Sequence, residues 1–309
     1  MNSSFDTAGL QFAWDSTSLA TWLDCERKYQ LTMIENWVPR SRSVHLRFGG
    51  HYATALETYH KRRALGEDHE TALRNVVETT LVASWSHDRD SEGNRISGTG
   101  TAEEFTDNAK TRENLIRTII WYLEHYKEDT MTTFIKADGI PAVEYSFSLP
   151  VDNDIILAGH IDRLVNYAEG IYIQDQKTTG STISAHYFKQ FSPHTQMSLY
   201  TFAGRIIYSA PVKGVIIDAA QIAVGFSRFE RGITMRTPEQ LTEWYEGAML
   251  HIQAARKATK ENHFPMRPSS CSNYGGCMFR DVCALSPTVR PNALAADFEK
   301  RVWDPLQRR

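Results

Sequence analysis

Residues 154–180 read DIILAGHIDRLVNYAEGIYIQDQKTTG. Two runs rich in β-branched and aromatic residues flank a turn signal around Asn166–Gly170, the pattern of two strands joined by a tight connection. Period two places Asp175 and Lys177 on one face of the second strand while Gln176 points away. If the two strands pair as neighbours, Asp162 approaches that same edge. Upstream, AVEYSFSL (142–149) reads as a further strand with Glu144 near its start. Downstream, Ser192–Tyr208 reads as a helix, VKGVIIDAAQIAVG (212–225) as one or two strands, and Pro238–Thr259 as a long helix. The expectation is an α/β core.

Two carboxylates and a lysine at strand ends have a chemical reading. Phosphodiester hydrolysis needs a positioned hydroxide and compensation for charge growing on phosphate oxygens. Carboxylates that hold Mg²⁺ supply both, and a lysine beside them can orient the hydroxide or meet the phosphate. Taken alone, D-x-K also describes a solvent-facing ion pair beside a turn.

The first 130 residues read as mainly helical. DSTSLATWLDCERKYQLTMI (15–34) has apolar residues at helical spacing, with Ser16 or Thr17 as cap. A loop at Pro39–Arg47 precedes the helical FGGHYATALETYHKRRAL, and residues 70–85 and 102–127 read as further helices. The stretch Ser86–Gly100 is rich in turn formers and reads as an exposed connection. Arg40, Arg42 and Arg47, with Lys61, Arg62 and Arg63, are candidate phosphate contacts, and Tyr52 or Tyr59 could stack on bases of a single strand. Solvated charge is the default for any one of them.

The four cysteines are Cys25, Cys271, Cys277 and Cys283. Five residues separate each neighbouring pair of the last three, so they can wrap one centre with Cys25 delivered by the first helix. Zinc and iron–sulfur chemistry both accept four thiolates; ordinary unlinked thiols are the remaining reading.

GHID followed by DQKTTG resembles the PD-(D/E)xK nuclease superfamily, in particular its RecB-like branch. The resemblance implies a restriction-endonuclease-like central mixed sheet with flanking helices. It implies Asp162 and Asp175 as metal-binding acids, Lys177 as the catalytic lysine, and a metal contact from the backbone carbonyl of Gln176. Ile161 stands where the eponymous motif has proline. Gln196-Met-Ser-Leu-Tyr200 matches the branch's downstream Q-x-x-x-Y motif, with both residues on one helix face, which implies catalytic or substrate-binding roles. Glu144 stands where related enzymes often carry an acid. FGGHYATALETYH is similar to a helix that carries a metal-binding histidine, but Ala53 occupies that position, leaving His51 or Glu57 as substitutes. The cysteine pattern is similar to that of relatives with one N-terminal cysteine and a C-terminal triplet around a [4Fe–4S] cluster, with structural Zn²⁺ as the alternative. The usual triplet has a shorter first gap.

The resemblance therefore implies a Mg²⁺- or Mn²⁺-dependent DNA exonuclease acting on single-stranded ends or flaps in recombination, repair or phage replication. A recombination or single-strand-binding protein is a possible partner. The alternative is a nuclease-like DNA-binding adaptor with weak or no catalysis. The organisation expected is a helical region over 1–130 contributing Cys25, a nuclease core over 131–260 and a cysteine-rich clasp and tail over 261–309, folded as one integrated domain.

Composition sets the outer limits. The chain has 309 residues, 41% of them hydrophobic and 23% charged, which is globular composition. Thirty-four basic against thirty-seven acidic residues give a formal charge of −3. Coating of nucleic acid through global charge is disfavoured, whereas a local basic groove is not. No apolar run approaches the length of a membrane span, and the N-terminus lacks a secretory pattern. A cytoplasmic protein is expected, in the host cytoplasm if phage-encoded. No Walker phosphate loop implies ATP, and the sequence leaves the oligomeric state open.

Overall fold

The computed structural model describes residues 4–41, 43–86, 100–102, 105, 107–152, 154–208 and 212–307. Arg42 and most of the Ser86–Gly100 connection lie outside the described residues.

The chain opens with β1 (Ala13–Trp14) and α1 (Ser16–Asp24), which Asp15 caps by accepting the N–H of Ser18 at 2.8 Å. The expected single helix over 15–34 is broken. Cys25 is extended (φ −165°, ψ 126°), so a short α2 (Glu26–Tyr29) restarts and runs into a π-helix at Gln30–Ile34. β2 (Trp37–Pro39) precedes α3 (Val44–Ala64), which begins inside the stretch expected to be loop. Then come α4 (His69–Ala83), the short β3 (Trp85–Ser86) and β4 (Thr101–Ala102), and α5 (Arg112–His125). The helix expected from residue 102 starts later because Thr111 caps it, accepting the N–H of Asn114 at 3.1 Å.

The remaining order is β5 (Thr132–Thr133), β6 (Val143–Asp152), β7 (Ile155–Tyr167), β8 (Gly170–Thr179), α6 (Ala185–Lys189), α7 (Thr195–Ile207), β9 (Val212–Ile222), β10 (Ser227–Met235), α8 (Pro238–Glu261), α9 (Arg280–Ala284), α10 (Arg290–Asp297) and β11 (Phe298–Lys300). β9 is one continuous strand, and β10, which sequence reading passed over, pairs with it antiparallel from Ser227↔Ile222 to Met235↔Gly214. The mixed sheet runs β1-β7-β8-β9-β10, with β5 and β6 also on β7.

Its two faces are covered by different helices. α1, α7 and α8 seal one side through Leu19, Trp22, Met197, Leu199, Ile252 and Ala255. α3, α4 and α5 seal the other through Phe48, Tyr52, Leu56, Val76, Leu115 and Ile119, against Ala220 and Ile222 of β9. Each face buries an apolar stripe against strand residues, which supplies the main driving force for the layered arrangement. A smaller cluster of Leu31, Phe279, Val282, Leu294 and Phe298 ties the π-helix to the C-terminal segment.

β7 changes partners along its length, and this shapes the site. Its last residues pair with β8 from Tyr167↔Gly170 to Arg163↔Gln174, whereas near its start β1 pairs with it at Ile156 and Leu157. β8 meanwhile continues on β9 as far as Thr179↔Gln221. The β7–β8 ladder therefore forks just where Asp162 and Asp175 face each other, and ligand sites of α/β sheets form at such divergences.

Candidate active site

Asp162 and Asp175 lie one step past the last paired rung of the fork. Asp162 Oδ2 accepts the backbone N–H of Gln176 at 2.8 Å, spanning the gap that the ladder leaves open. Asp175 is 1% exposed, and its Oδ2 sits 2.5 Å from the Nζ of Lys177, whose side chain is 29% exposed. The alternation read from sequence holds: Asp175 and Lys177 share a face, and Gln176 contributes its main chain.

The electrostatics are those of a crowded acidic site with one cation. Burial, and then the charge of Asp175, drive the Asp162 carboxyl up to about 7; Lys177 and the Gln176 N–H oppose this, and Glu144 adds to it. Burial pulls the Lys177 ammonium down, but the carboxylates of Asp175 and Asp162 more than reverse this, leaving it raised. Glu144 follows the first residue of β6 and adopts a left-handed φ of 49°, a conformation rare for residues other than glycine and concentrated at functional sites. It interrupts the ladder between Val143↔Arg163 and Tyr145↔Ile161, opposite Asp162.

Gln196 and Tyr200 stand on α7 as the i, i+4 spacing requires. Gln196 Nε2 donates to Tyr200 Oη at 3.0 Å, and Tyr200 donates to the carbonyl of His160 at 2.5 Å. The pair thus grips the backbone of β7 two residues before Asp162. Two neighbours were not anticipated: Tyr187 on α6, and His194 at the cap of α7. The charges of Lys177 and Asp175 reach both. Burial and then Lys177 push the His194 imidazole down, against the opposing pull of Asp175. His194 precedes Gln196 by two residues, so the Q-x-x-x-Y motif itself was the available signal.

Other expected residues go elsewhere. His51 packs edge-on against Phe105, with ring centroids 6.4 Å apart. Glu57 pairs with Lys61 at 2.5 Å. Tyr52 and Tyr59 are buried and form no stacking platform. Arg40 donates to the carbonyls of Ala296 and Ala295 at 3.1 Å each, serving the C-terminal end of α10 and not an open groove; a cation is favoured at that negative helix end. The Arg47 guanidinium lies 5.3 Å from the centre of the Phe105 ring. Arg62 and Arg63 bind Glu67 through its carboxylate and its carbonyl.

Cys25, Cys271, Cys277 and Cys283 line one small cavity together with Lys28, Arg267 and Arg280. All four thiols are free, and Cys25 Sγ accepts the backbone N–H of Arg267 at 3.4 Å. Among the described residues, the only three metal-ligating side chains whose donor atoms lie within 4.8 Å of one another are His69, Glu70 and Glu124. There His69 Nε2 meets Glu124 at 3.2 Å and Lys127 approaches the same carboxylate at 3.5 Å, an ordinary ion-pair cluster at the start of α4.

A polar network occupies the opposite sheet face. Asp218, in the middle of β9, receives the Tyr122 hydroxyl at 2.5 Å, Arg231 Nε at 3.0 Å and the amide of Gln174. Arg163 joins through Gln174 at 3.0 Å and His60 at 3.2 Å. Burial, reinforced by Arg163 and Arg231, holds His60 neutral well below its usual range. The network fixes the strands that carry the acids from behind.

The model of the PD-(D/E)XK nuclease superfamily matches residues 14–284. The fold is similar to the crystal structure of a protein from Eubacterium rectale named "Putative exonuclease", with a TM-score of 0.52 and 11% identity over 88% of each chain. No curated protein matches the sequence.

Proposed function

The chain belongs to the PD-(D/E)XK nuclease superfamily, and on that footing we propose that it is a divalent-metal-dependent DNA exonuclease acting on single-stranded ends or flaps. The observation that carries this reading is the trio at the fork: Asp162 on the Gln176 N–H, Asp175 against Lys177, and an Asp162 carboxyl raised to about 7 by burial and a second acid. Two acids and one ammonium in a crevice carry an uncompensated demand for positive charge, which a divalent ion meets.

Asp162, Asp175 and the Gln176 carbonyl would hold that ion, with Glu144 alongside. Bound Mg²⁺ or Mn²⁺ supplies a water of lowered pKa and stabilises charge on the phosphate oxygens. Lys177 keeps its proton beside Asp175 and presents a fixed ammonium to the attacked phosphate. Gln196 and Tyr200 hold the backbone of β7, so the carboxyl of Asp162 is pre-aimed. Attack at strand ends is supported by the name carried by the Eubacterium rectale neighbour. Roles in recombination, repair or phage replication fit the same chemistry.

We further propose a [4Fe–4S] centre at the four cysteines. Tetrahedral Zn²⁺, with Zn–S near 2.3 Å, needs sulfurs roughly 3.8 Å apart. No three of these thiols lie within 4.8 Å of one another, which favours the larger four-iron group. The void between the thiols is about 20 Å³, so the reading rests on the set of four thiolates and their spacing. Such a centre would join the first helix to the C-terminal segment and add folding free energy.

The test is cleavage of end-labelled single-stranded, duplex and flap DNA by anaerobically purified protein, with Mg²⁺, Mn²⁺ or EDTA. Metal-dependent products shortened progressively from an end are expected. DNA binding without cleavage in either metal would replace the reading with that of a nuclease-like adaptor.

A further inference from the structure

A cavity of about 290 Å³ opens on the sheet face opposite the acids, between the C-terminal ends of α3 and α5. Neighbouring residues of a strand face opposite ways, so Arg163 points away from Asp162 and into this space. The polar lining includes His60, Arg63, Tyr126, Lys127, Asp129 and Arg163, while Leu123, Met131 and Ile135 supply an apolar wall. The volume is close to the lower end of the roughly 300–1,000 Å³ typical of small-ligand sites.

The cavity presents donors that lack acceptors. Arg163 is 4% exposed, and four of its N–H groups go to neutral partners: Thr133 Oγ1 at 2.9 Å, Gln174 Oε1 at 3.0 Å, and His60 Nε2 and the Met131 carbonyl at 3.2 Å each. A guanidinium has five N–H donors and accepts nothing. One N–H of Arg163 is therefore left over, and His60 Nε2 must be the acceptor, so the neutral ring carries its proton on Nδ1. His60 is 7% exposed, and its Nδ1–H meets no acceptor among the described residues while keeping access to the open space. An unmet donor in so buried a ring is costly unless a ligand or water supplies its partner. The Tyr126 hydroxyl likewise has no hydrogen-bond partner among the described residues.

The charges also fall short of balance. Asp129 and Asp218 both bind Arg231, at 2.7 Å and 3.0 Å, and offset Arg163 only from a distance. Burial still pulls the Arg163 guanidinium down to about 10. Lys127 is matched by Glu124. Arg63, at the rim, donates to the Glu67 carbonyl at 2.6 Å and pairs with no carboxylate among the described residues. It leaves the cluster with a positive charge in excess.

We propose that this cavity binds a small phosphate-bearing anion, held between Arg63, the remaining N–H of Arg163 and the Nδ1–H of His60. Hydrogen bonds from charged donors to a phosphate are strong, and here the two inner donors are fixed in place by their other partners. The Tyr126 hydroxyl completes the set. The apolar wall leaves room for an organic group, so a phosphomonoester such as a mononucleotide suits the cavity better than the free ion. Arg163 belongs to the last paired rung of the fork, Arg163↔Gln174, which puts the ligand directly behind the acids. The site uses neither the acids nor Lys177 and stands apart from the nuclease reading.

Calorimetric titration in EDTA with thymidine 5′-monophosphate, and separately with inorganic phosphate, tests the site. The wild type is expected to bind one equivalent, the nucleotide more tightly. Arg163 also ties strands together, so the variants are Arg63→Ala and Tyr126→Phe, which leave the fold's buried contacts in place. Arg63→Ala is expected to bind about tenfold more weakly and Tyr126→Phe about fivefold, the usual worth of a charged and a neutral hydrogen bond. Melting temperatures without ligand should not change. Lys177→Ala is expected to bind as the wild type does. Equal affinity for inorganic phosphate would keep the anion site and assign it to the free ion. No binding of either probe by the wild type, or affinity unchanged by Arg63→Ala, would overturn the site. Affinity lost in Lys177→Ala would overturn it too, by placing the nucleotide at the acids.

Discussion

Asp162 Oδ2 and the backbone N–H of Gln176 meet at 2.8 Å across a pair of strands that have already stopped pairing. This single bond closes the mouth of the β7–β8 fork and brings an acid of one strand beside an acid and a lysine of the next. The two strands could separate there without breaking a ladder rung, so the crevice is built into the register.

The ion pair between Lys177 and Asp175 sets up a competition. A divalent ion and the ammonium share one carboxylate, so Lys177→Ala is expected to bind Mn²⁺ more tightly than the wild type. The same variant should lose about 10²–10³-fold in kcat, the usual cost of a lost charge-stabilising group. Calorimetry and single-turnover cleavage read the two effects; weaker Mn²⁺ binding would argue that Lys177 positions the metal ligands.

The Asp162 carboxyl is raised from 3.8 to about 7 in the metal-free fold. Between those values Asp162 holds more proton in the native protein than in the unfolded chain, so its contribution to stability falls as pH rises from 4 to 7. In EDTA the wild type should lose thermal stability relative to Asp162→Asn across that range, since the lowered His60 and His194 imidazoles, which act in the opposite sense, are common to both; saturating Mg²⁺ should remove the difference by favouring the ionised carboxylate. A wild type that loses no stability relative to Asp162→Asn across this range would contradict the assignment.

Tyr200→Phe removes a hydroxyl that joins Gln196 to the His160 carbonyl. Losing it leaves a part-buried carbonyl unmet, at about 1–3 kcal/mol. Chemical denaturation reads that loss, and an unchanged midpoint would mean that water replaces the hydroxyl at no cost.

Asp218→Asn strikes the network behind the sheet. It leaves Arg231 without one of its two carboxylate partners, the other being Asp129 at 2.7 Å. Breaking a buried ion pair on one side costs about 3–5 kcal/mol. Denaturant unfolding should show it, and a change below 1 kcal/mol would mean that the Tyr122 and Gln174 contacts carry the network alone.

The parts legible in the sequence are those with a local period. The strands of residues 154–180, the shared face of Asp175 and Lys177, the Gln196–Tyr200 spacing and the long α8 all follow from nearest-neighbour geometry. The break at Cys25 is invisible locally, because the apolar spacing continues through it; it depends on Pro265, whose carbonyl takes the Arg27 N–H at 3.2 Å. β10 was missed because SRFERGITM carries charges at half-buried positions. Asp218, Gln174 and Arg163 are polar residues in buried slots, where alternation gives the wrong answer and only partners distant in sequence make burial tolerable. Arg40 looked like part of a basic patch because its true acceptors lie about 255 positions away.

The central claim is that Asp175, Asp162 and Lys177 form one metal-dependent hydrolytic site. The most direct measurement is release of label from 5′- and 3′-labelled single-stranded DNA by wild type and Asp175→Ala in Mg²⁺. The account predicts cleavage by the wild type, none in EDTA, and at least a 10²-fold loss in the variant with DNA binding retained. Equal cleavage by Asp175→Ala would contradict it.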